Sequence, residues 1–312
     1  MTKWLIERGI GETRAALVED GEILEARVRL DGTLPAGTVV AARLVSAGMR
    51  NAVARDDRGT EYLLPRGAPG VTEGAALNIE VTREAIPGTE PWKRPLAQAT
   101  DESVRDAPPV DGRAARRGEL DAAGWDELIE QARCGAVSFA GGELRISPTP
   151  AMTLIDVDGH LTPKELAVLG SAEAGKAIRR LDIGGSIGID LPTSGSKAAR
   201  QAAAEAIDAI LVPPFERTAV NGFGFVQIVR PRHRASLVEL AQDRAAFEAR
   251  ALLRRATSEP PGAMRLVANV PVTAILEAHP AWLDQLARSV GGKITLRVET
   301  ALPMSGGYAE SP

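Results

Sequence analysis

The sequence predicts an α/β protein of the α+β kind, with a mixed-sheet core and a small OB-type β-barrel near the N-terminus. Three observations carry that expectation. Over roughly the first 85 residues, short β-prone runs are broken by glycines and turn dipeptides, the rhythm of a small all-β unit. From about residue 120, strand-like runs alternate with helical ones. Within that second part, Leu154-Ile155-Asp156-Val157-Asp158-Gly159 and Ser186-Ile187-Gly188-Ile189-Asp190-Leu191 are apolar runs that stop on acids, with a stretch between them long enough for a crossover helix.

Trp4 to Arg8, Thr13 to Val18 and Glu22 to Arg29 read as strands, set apart by Gly9-Ile10-Gly11 and by Asp20-Gly21, a two-residue hairpin signal. They form a first segment, residues 1–34, expected to pack on the core. Thr38 to Val81 continues as short strands broken by Gly48, Asp57-Arg58-Gly59, Pro65 to Gly70 and Gly74, which places the barrel at 35–84. Residues 85–119 are rich in proline, charge and small side chains, as in Asp106-Ala107-Pro108-Pro109 and Arg113-Ala114-Ala115-Arg116-Arg117. With little to bury, they are expected to form a linker or a poorly ordered arm. The α/β region fills 120–312. A helix is expected near Asp121 to Ala132, strands near Ala136 to Phe139 and Glu143 to Ile146, and then the Asp156 strand. Helices over Pro163 to Arg180 and Lys197 to Ile210 flank the Asp190 strand. Phe223 to Val229 reads as a strand and Ala235 to Arg255 as one long helix, and strand, helix and strand follow through Val298.

Composition excludes several classes. Of 312 residues, 44% are hydrophobic and 25% charged, ordinary for a soluble globular chain and unlike a collagenous or low-complexity one. No apolar run approaches a membrane span, and Met1-Thr2-Lys3-Trp4-Leu5-Ile6-Glu7 soon meets acids instead of a signal-peptide core, so a cytoplasmic location is expected. The single cysteine, Cys134, excludes an internal disulfide and a Cys-rich zinc cluster within one chain, and is expected as a small buried side chain. A net charge of −4 argues against a generally basic nucleic-acid coat while leaving room for a local basic face.

The two acid-terminated runs carry the chemistry. In a parallel βαβ unit both strands end on one side of the sheet, the side that ligand sites favour, so Asp156 and Asp190 are expected to meet there. Adjacent carboxylates repel unless a cation or a shared proton lies between them, and hard oxygen donors suit Mg²⁺ or Mn²⁺. That pattern points to metal-dependent phosphoryl transfer. Competing motifs are weaker. Gly184-Gly185-Ser186-Ile187-Gly188 fits the G-x-S-x-G string, yet the strand is expected to run on through Ile187 and Ile189 where a nucleophile elbow needs a sharp turn. Thr193-Ser194-Gly195-Ser196-Lys197 lacks the order of a phosphate loop and reads as a turn with Ser196 capping the next helix. His160 and His279 have no partners at ligand spacing.

Taken in order, Trp4-Leu5-Ile6, Glu12-Thr13-Arg14-Ala15-Ala16-Leu17-Val18-Glu19-Asp20-Gly21, the Leu154-Ile155-Asp156-Val157-Asp158 strand, Ala172-Glu173-Ala174, and Leu181-Asp182-Ile183-Gly184-Gly185 leading to Ile189-Asp190 resemble the ribonuclease E/G family. Val220-Asn221-Gly222-Phe223-Gly224, Arg230-Pro231-Arg232 and Val290-Gly291-Gly292-Lys293 match its pattern further on. The resemblance implies that 120–312 is a ribonuclease E/G-like catalytic region. It also implies that Asp156 and Asp190 bind the Mg²⁺, with Mn²⁺ as an alternative ion, that promotes endonucleolytic cleavage of single-stranded RNA. The expected protein is an RNA-processing hydrolase with single-stranded RNA as its partner.

Departures from the family pattern matter as much. Asp158 replaces the family's asparagine two residues after the first acid, which makes it either a third ligand, direct or through water, or a source of repulsion against phosphate. Gly159-His160-Leu161-Thr162-Pro163-Lys164 replaces a longer loop containing Arg and Gly. In the barrel, Tyr62 stands for one of the family's RNA-stacking aromatics and Val53 occupies the place of another; stacking is worth ~1–3 kcal/mol per base. Arg230, Arg232 and Arg234, with His233 among them, are the cations expected to hold RNA backbone. From Arg230 to Arg255 there are seven arginines against three acids, a bias open to RNA contact and to a solvated face with i,i+4 pairs alike. No Cys-x-x-Cys follows Arg234, so any homo-oligomer forms without the family's zinc bridge. The short path from the barrel to the 85–119 segment leaves little room for the family's 5′-phosphate sensor. Two other classes stay open: a catalytically impaired RNA-binding protein of the same family, and an interaction subunit that neither binds nor cuts RNA.

Overall fold

The first three strands, β1 (Trp4–Arg8), β2 (Glu12–Glu19) and β3 (Glu22–Leu30), form an antiparallel meander in the computed structural model, which describes residues 4–48, 51–87 and 93–312. Asp20 (φ 51°) and Gly21 (φ 83°) both take the left-handed backbone that a two-residue hairpin of this kind requires, as the Asp-Gly signal predicts.

The barrel follows as β4 (Val39–Ser46), β5 (Ala52–Asp56), β6 (Glu61–Leu64), β7 (Ala76–Arg83) and β8 (Leu96–Thr100), closed in the order β4-β5-β6-β8-β7. Its β6–β8 pair is parallel and the others are antiparallel, giving a five-stranded barrel of OB type. Its last strand lies within 85–119. The expected linker is therefore corrected: Val39 and Arg105 exchange backbone hydrogen bonds of 2.9 and 3.1 Å, and β9 (Gly112–Ala114) adds a parallel edge to β1. The stretch Leu96-Ala97-Gln98-Ala99-Thr100 hides its role because small residues make its alternation faint, yet Ala97 is buried in the barrel core. Part of the expected arm, 88–92, lies outside the described residues.

The core begins with α1 (Glu119–Ala122) and α2 (Trp125–Cys134), followed by β10 (Ala136–Phe139), β11 (Gly142–Pro148), β12 (Thr153–Gly159), α3 (Pro163–Arg180), β13 (Gly185–Asp190), α4 (Lys197–Ile210), β14 (Glu216–Arg217) and β15 (Phe225–Arg230). These strands make one sheet in the order β10-β11-β12-β13-β15-β14, with β12 and β13 parallel at its centre and joined through α3. Thr162 and Glu165 form a capping box at the start of α3 with Pro163 in its first turn, which lets the helix begin almost as soon as β12 ends. Alternation along the strands does the rest. Ile155, Val157, Ile187, Ile189, Val226 and Ile228 are buried in one cluster with Ala174, Ile178, Ala203 and Ile207 of α3 and α4. The intervening side chains point to the opposite face, where Leu154, Asp156, Asp158, Asp190 and Val229 are exposed. The sheet is packed on one side and open on the other.

The expected helix from Ala235 to Arg255 is two helices, α5 (Leu237–Leu240) and α6 (Arg244–Ser258), because Asp243 caps a new start by accepting from Ala246 N–H at 3.4 Å. Arg250 and Arg254 of α6 serve neither reading of that stretch. Arg250 pairs with Glu12 at 3.2 Å, and Arg254 with Asp126 at 2.7 Å and with Asp121, which ties α6 to the first sheet and to α1 and α2. The chain ends with β16 (Met264–Ala268), α7 (Val270–Ala278), α8 (Pro280–Val290), β17 (Ile294–Val298) and β18 (Tyr308–Glu310), a three-stranded sheet whose helices share a second core with α6 through Leu252, Leu253, Leu266, Leu276 and Leu286. Cys134 is exposed at the end of α2, which corrects its expected burial: the helix stops there at Gly135 (φ 65°), and its last residue falls outside the packed face made by Leu128, Gln131 and Ala132. Among the described residues no helix is long and apolar enough to cross a membrane.

Candidate functional site

β12 and β13 bring Asp156 and Asp190 to the same level, as direct partners in the parallel register. The row continues across the sheet, with Arg145 of β11 opposite Asp156 and Phe225 of β15 opposite Asp190. Asp158 lies two residues beyond Asp156 on the same open face, opposite Glu143. Alternation explains why: each acid follows a buried Ile or Val, so its side chain must leave the packed face.

Charge is uncompensated at this edge. Among the described residues, none of the three acids is ion-paired; the nearest cation in the row, Arg145, is paired with Glu143 at 2.6 Å in an exposed arrangement. The Asp156 carboxyl is pushed above the ordinary aspartate value, first by partial burial against the sheet and then by the negative charges of Asp158 and Asp190. No three His, Cys, Asp or Glu side chains among the described residues are drawn together closely enough to cage a metal ion, so the acids form an open edge in place of a closed site. Such an edge can take up a proton, or it can take up a cation that contributes its own waters to the coordination sphere.

Ser186 of the G-x-S-x-G string lies within β13, which runs without a break from Gly185 to Asp190, so the chain makes no strand-to-helix turn at the serine. Ser196 caps α4 by accepting from Ala199 N–H at 3.3 Å.

The expected RNA-holding residues are elsewhere. Because β15 is antiparallel to β13, Arg230 pairs in register with Gly185, at the opposite end of β13 from Asp190 and roughly 16 Å away at strand rise. It donates to the Ile183 carbonyl at 2.9 Å. Arg232 is paired with Glu239, and Arg234 with Asp182 at 2.9 Å and with Glu84 at 3.8 Å. His233 sits against the Thr82 carbonyl at 3.3 Å. His233 and Arg234 fasten the end of β7 to the core while Arg230 and Arg232 bond within the core, and the expectation that these groups hold RNA beside the acids is corrected. Tyr62 is corrected as well: at 1% exposure its ring fills the barrel core, and its hydroxyl donates to Asp56 at 3.0 Å. A ring enclosed on both faces has no surface left for a base.

Sequence reasoning missed two residues at the site. Arg145 belongs to the acid row, and its signal was the alternation Glu143-Leu144-Arg145-Ile146 next to the Asp156 strand. Phe223, expected within a strand, lies in a turn just ahead of β15 and is 81% exposed. Its signal was the Asn221-Gly222 and Phe223-Gly224 pairing of turn residues.

Compared with protein families and with curated proteins, the chain matches none of them.

Proposed function

We propose that the chain is an endoribonuclease of the ribonuclease E/G kind, which cleaves single-stranded RNA with Mg²⁺, or Mn²⁺ in its place, held at Asp156 and Asp190. The observation that carries the reading is the register pairing of two unneutralised carboxylates at the carboxyl end of parallel strands. The donor set fits a hard divalent cation: both groups are carboxylates, they are adjacent, and partial burial followed by the charges of Asp158 and Asp190 makes the ionised form of Asp156 costly without a counter-ion. When bound, the ion supplies charge neutralisation at a phosphodiester oxygen and water of lowered pKa.

The chain's own residues do the positioning. Asp156 and Asp190 would hold the ion, and Asp158, too far off to complete a three-carboxylate cage, would reach it through a bound water. Arg145 is in the same row, and its exposed pairing with Glu143 is weak enough to give way to a phosphate oxygen, because a surface ion pair is worth about 0–1 kcal/mol. The proposal includes a cytoplasmic location and, since Cys134 is the sole cysteine, any oligomer held without a zinc bridge. A second reading, a catalytically impaired RNA-binding protein, is favoured by Asp158, which adds negative charge to the face that must receive phosphate.

Cleavage of a fluorescent single-stranded oligoribonucleotide tests this. The parent chain should cut only with Mg²⁺ or Mn²⁺, and Asp156→Asn and Asp190→Asn should each lower the rate on the order of 100-fold or more, the scale of removing one electrostatic stabiliser, with unfolding curves unchanged. Binding without cleavage by the parent selects the second reading. Wild-type rates in either variant contradict the two-acid site.

A further inference from the structure

Phe223 is the most exposed large apolar side chain among the described residues, at 81%, and it belongs to the turn that leads into β15, whose first residue, Phe225, pairs in register with Asp190. Its exposure is fixed by the backbone. Asn221 Oδ1 accepts from the N–H groups of Phe223 and Phe225 at 2.9 and 3.1 Å, and the Gly224 N–H donates to the Asn221 carbonyl at 3.2 Å. Gly224 has φ +94°, and a Cβ there would collide with the Leu191 carbonyl, so the turn admits glycine alone. The turn is also tied to the segment that leaves Asp190. Leu191 N–H donates to the Gly224 carbonyl at 3.2 Å, and the Thr193 hydroxyl donates to the Phe223 carbonyl at 3.0 Å. A phenyl ring is thus held in water by a turn cross-linked to the residues next to a candidate catalytic acid.

The neighbouring part of the open face is apolar. Gly188 has no side chain, and the Phe225 ring covers its place; a Cβ there would stand 2.6 Å from the ring. Leu154 flanks the same position from the next strand. A shelf of this kind suits a planar, uncharged group, while the acids beside it suit the charged backbone that carries such a group when a cation is shared between them. Bases of single-stranded nucleic acid stack on exposed aromatics with little regard to sequence.

We propose that Phe223 is a base-stacking platform that seats an unpaired nucleobase of the RNA beside Asp190. The inference rests on the endoribonuclease reading and adds a subsite to it. It explains how a chain whose barrel aromatic Tyr62 is buried still grips single strands, and it makes the base next to the cut a binding determinant.

The test uses the full chain carrying Asp156→Asn, which removes cleavage together with the bound ion, at fixed ionic strength, and a fluorescein-labelled single-stranded oligouridylate followed by anisotropy. Adding Phe223→Ala should weaken binding about tenfold, which is about 1.4 kcal/mol. Phe223→Trp should restore it and Phe223→Leu should not, because stacking needs a π face. An abasic strand of the same length should bind equally to the parent and to the chain with Phe223→Ala added. Equal affinity of Phe223→Ala and its parent for the oligouridylate overturns the inference, as does an equal loss on the abasic strand. A dimer in sedimentation that Phe223→Ala dissociates also overturns it, since the ring would then meet a second copy of the chain. Cleavage assays of otherwise wild-type protein separate the two levels. If it cuts RNA and Phe223→Ala leaves KM unchanged, the inference alone falls; if it neither binds nor cuts, the endoribonuclease reading falls with it.

Discussion

The two ends of the central sheet carry similar acids and treat them in opposite ways. At the end where β12 and β13 finish, Asp156, Asp158 and Asp190 face water with no cation paired to them among the described residues. At the other end, Asp182, Glu84 and Glu239 are matched by Arg234 and Arg232, with Arg27 and Arg230 close enough to act on Asp182. An acid paired in this way is part of the scaffold, and at Glu84 the pairing also joins the barrel to the core. An acid left unpaired, next to others of its kind, costs stability unless something outside the chain neutralises it. The contrast is what separates a candidate site from ordinary surface charge.

The largest effect that could break this comparison is on stability. Asp182→Ala should leave Arg234 and its neighbouring guanidinium groups facing one another, and should destabilise the protein by about 3 kcal/mol, the lower end of the cost of breaking a partly buried pair. Asp156→Asn should leave the urea midpoint unchanged or slightly raised, because it removes a charge from among like charges. Equal losses in the two variants would erase the distinction between the ends.

A pH titration sharpens it. Burial pushes the Glu84 carboxyl up to about 7 from an ordinary 4.5, with Asp182 adding to the rise while Arg234 and Arg29 oppose it. Between those values the folded protein keeps a proton that the unfolded chain has released, so this group's contribution is fully present below about pH 4.5 and is lost as the pH rises through about 7. Glu84→Gln should therefore flatten the fall in melting temperature between pH 5 and 8, and a variant with the parent's full slope would show that Glu84 does not carry it.

The smallest effect compares two aromatics. Tyr62→Phe should cost about 1 kcal/mol of stability through the lost hydrogen bond to Asp56 and leave RNA affinity unchanged, whereas the exposed ring of Phe223 should show the reverse pattern. Weaker RNA binding by folded Tyr62→Phe would return the barrel to the binding surface.

Much of this architecture could be read from residues. The Asp20-Gly21 hairpin, the start of α3 at Thr162-Pro163 and the Ser196 cap follow from local chemistry, and the level meeting of Asp156 and Asp190 follows from two strands of one βαβ unit. What could not be read depended on direction and partners. The arginines after β15 lie far from the acids because that strand runs antiparallel, and nothing local in Phe225–Arg230 records its direction. Tyr62 reads alike whether its ring faces into a barrel or out of it, since a five-stranded barrel alternates both ways. The last barrel strand, Leu96–Thr100, is too poor in large apolar residues to stand out from the prolines and charges around it, and it gains its place only by pairing with β6 and β7.

The central claim is that the bare acidic edge takes up a divalent cation and the neutralised end does not. Titrating the full chain with Mn²⁺ and following the free ion by electron paramagnetic resonance measures this without any RNA. The account predicts binding that is lost in Asp156→Asn and in Asp190→Asn, kept in Asp182→Asn, and displaced by excess Mg²⁺. Binding that survives both edge substitutions, or that disappears only with Asp182→Asn, would contradict it.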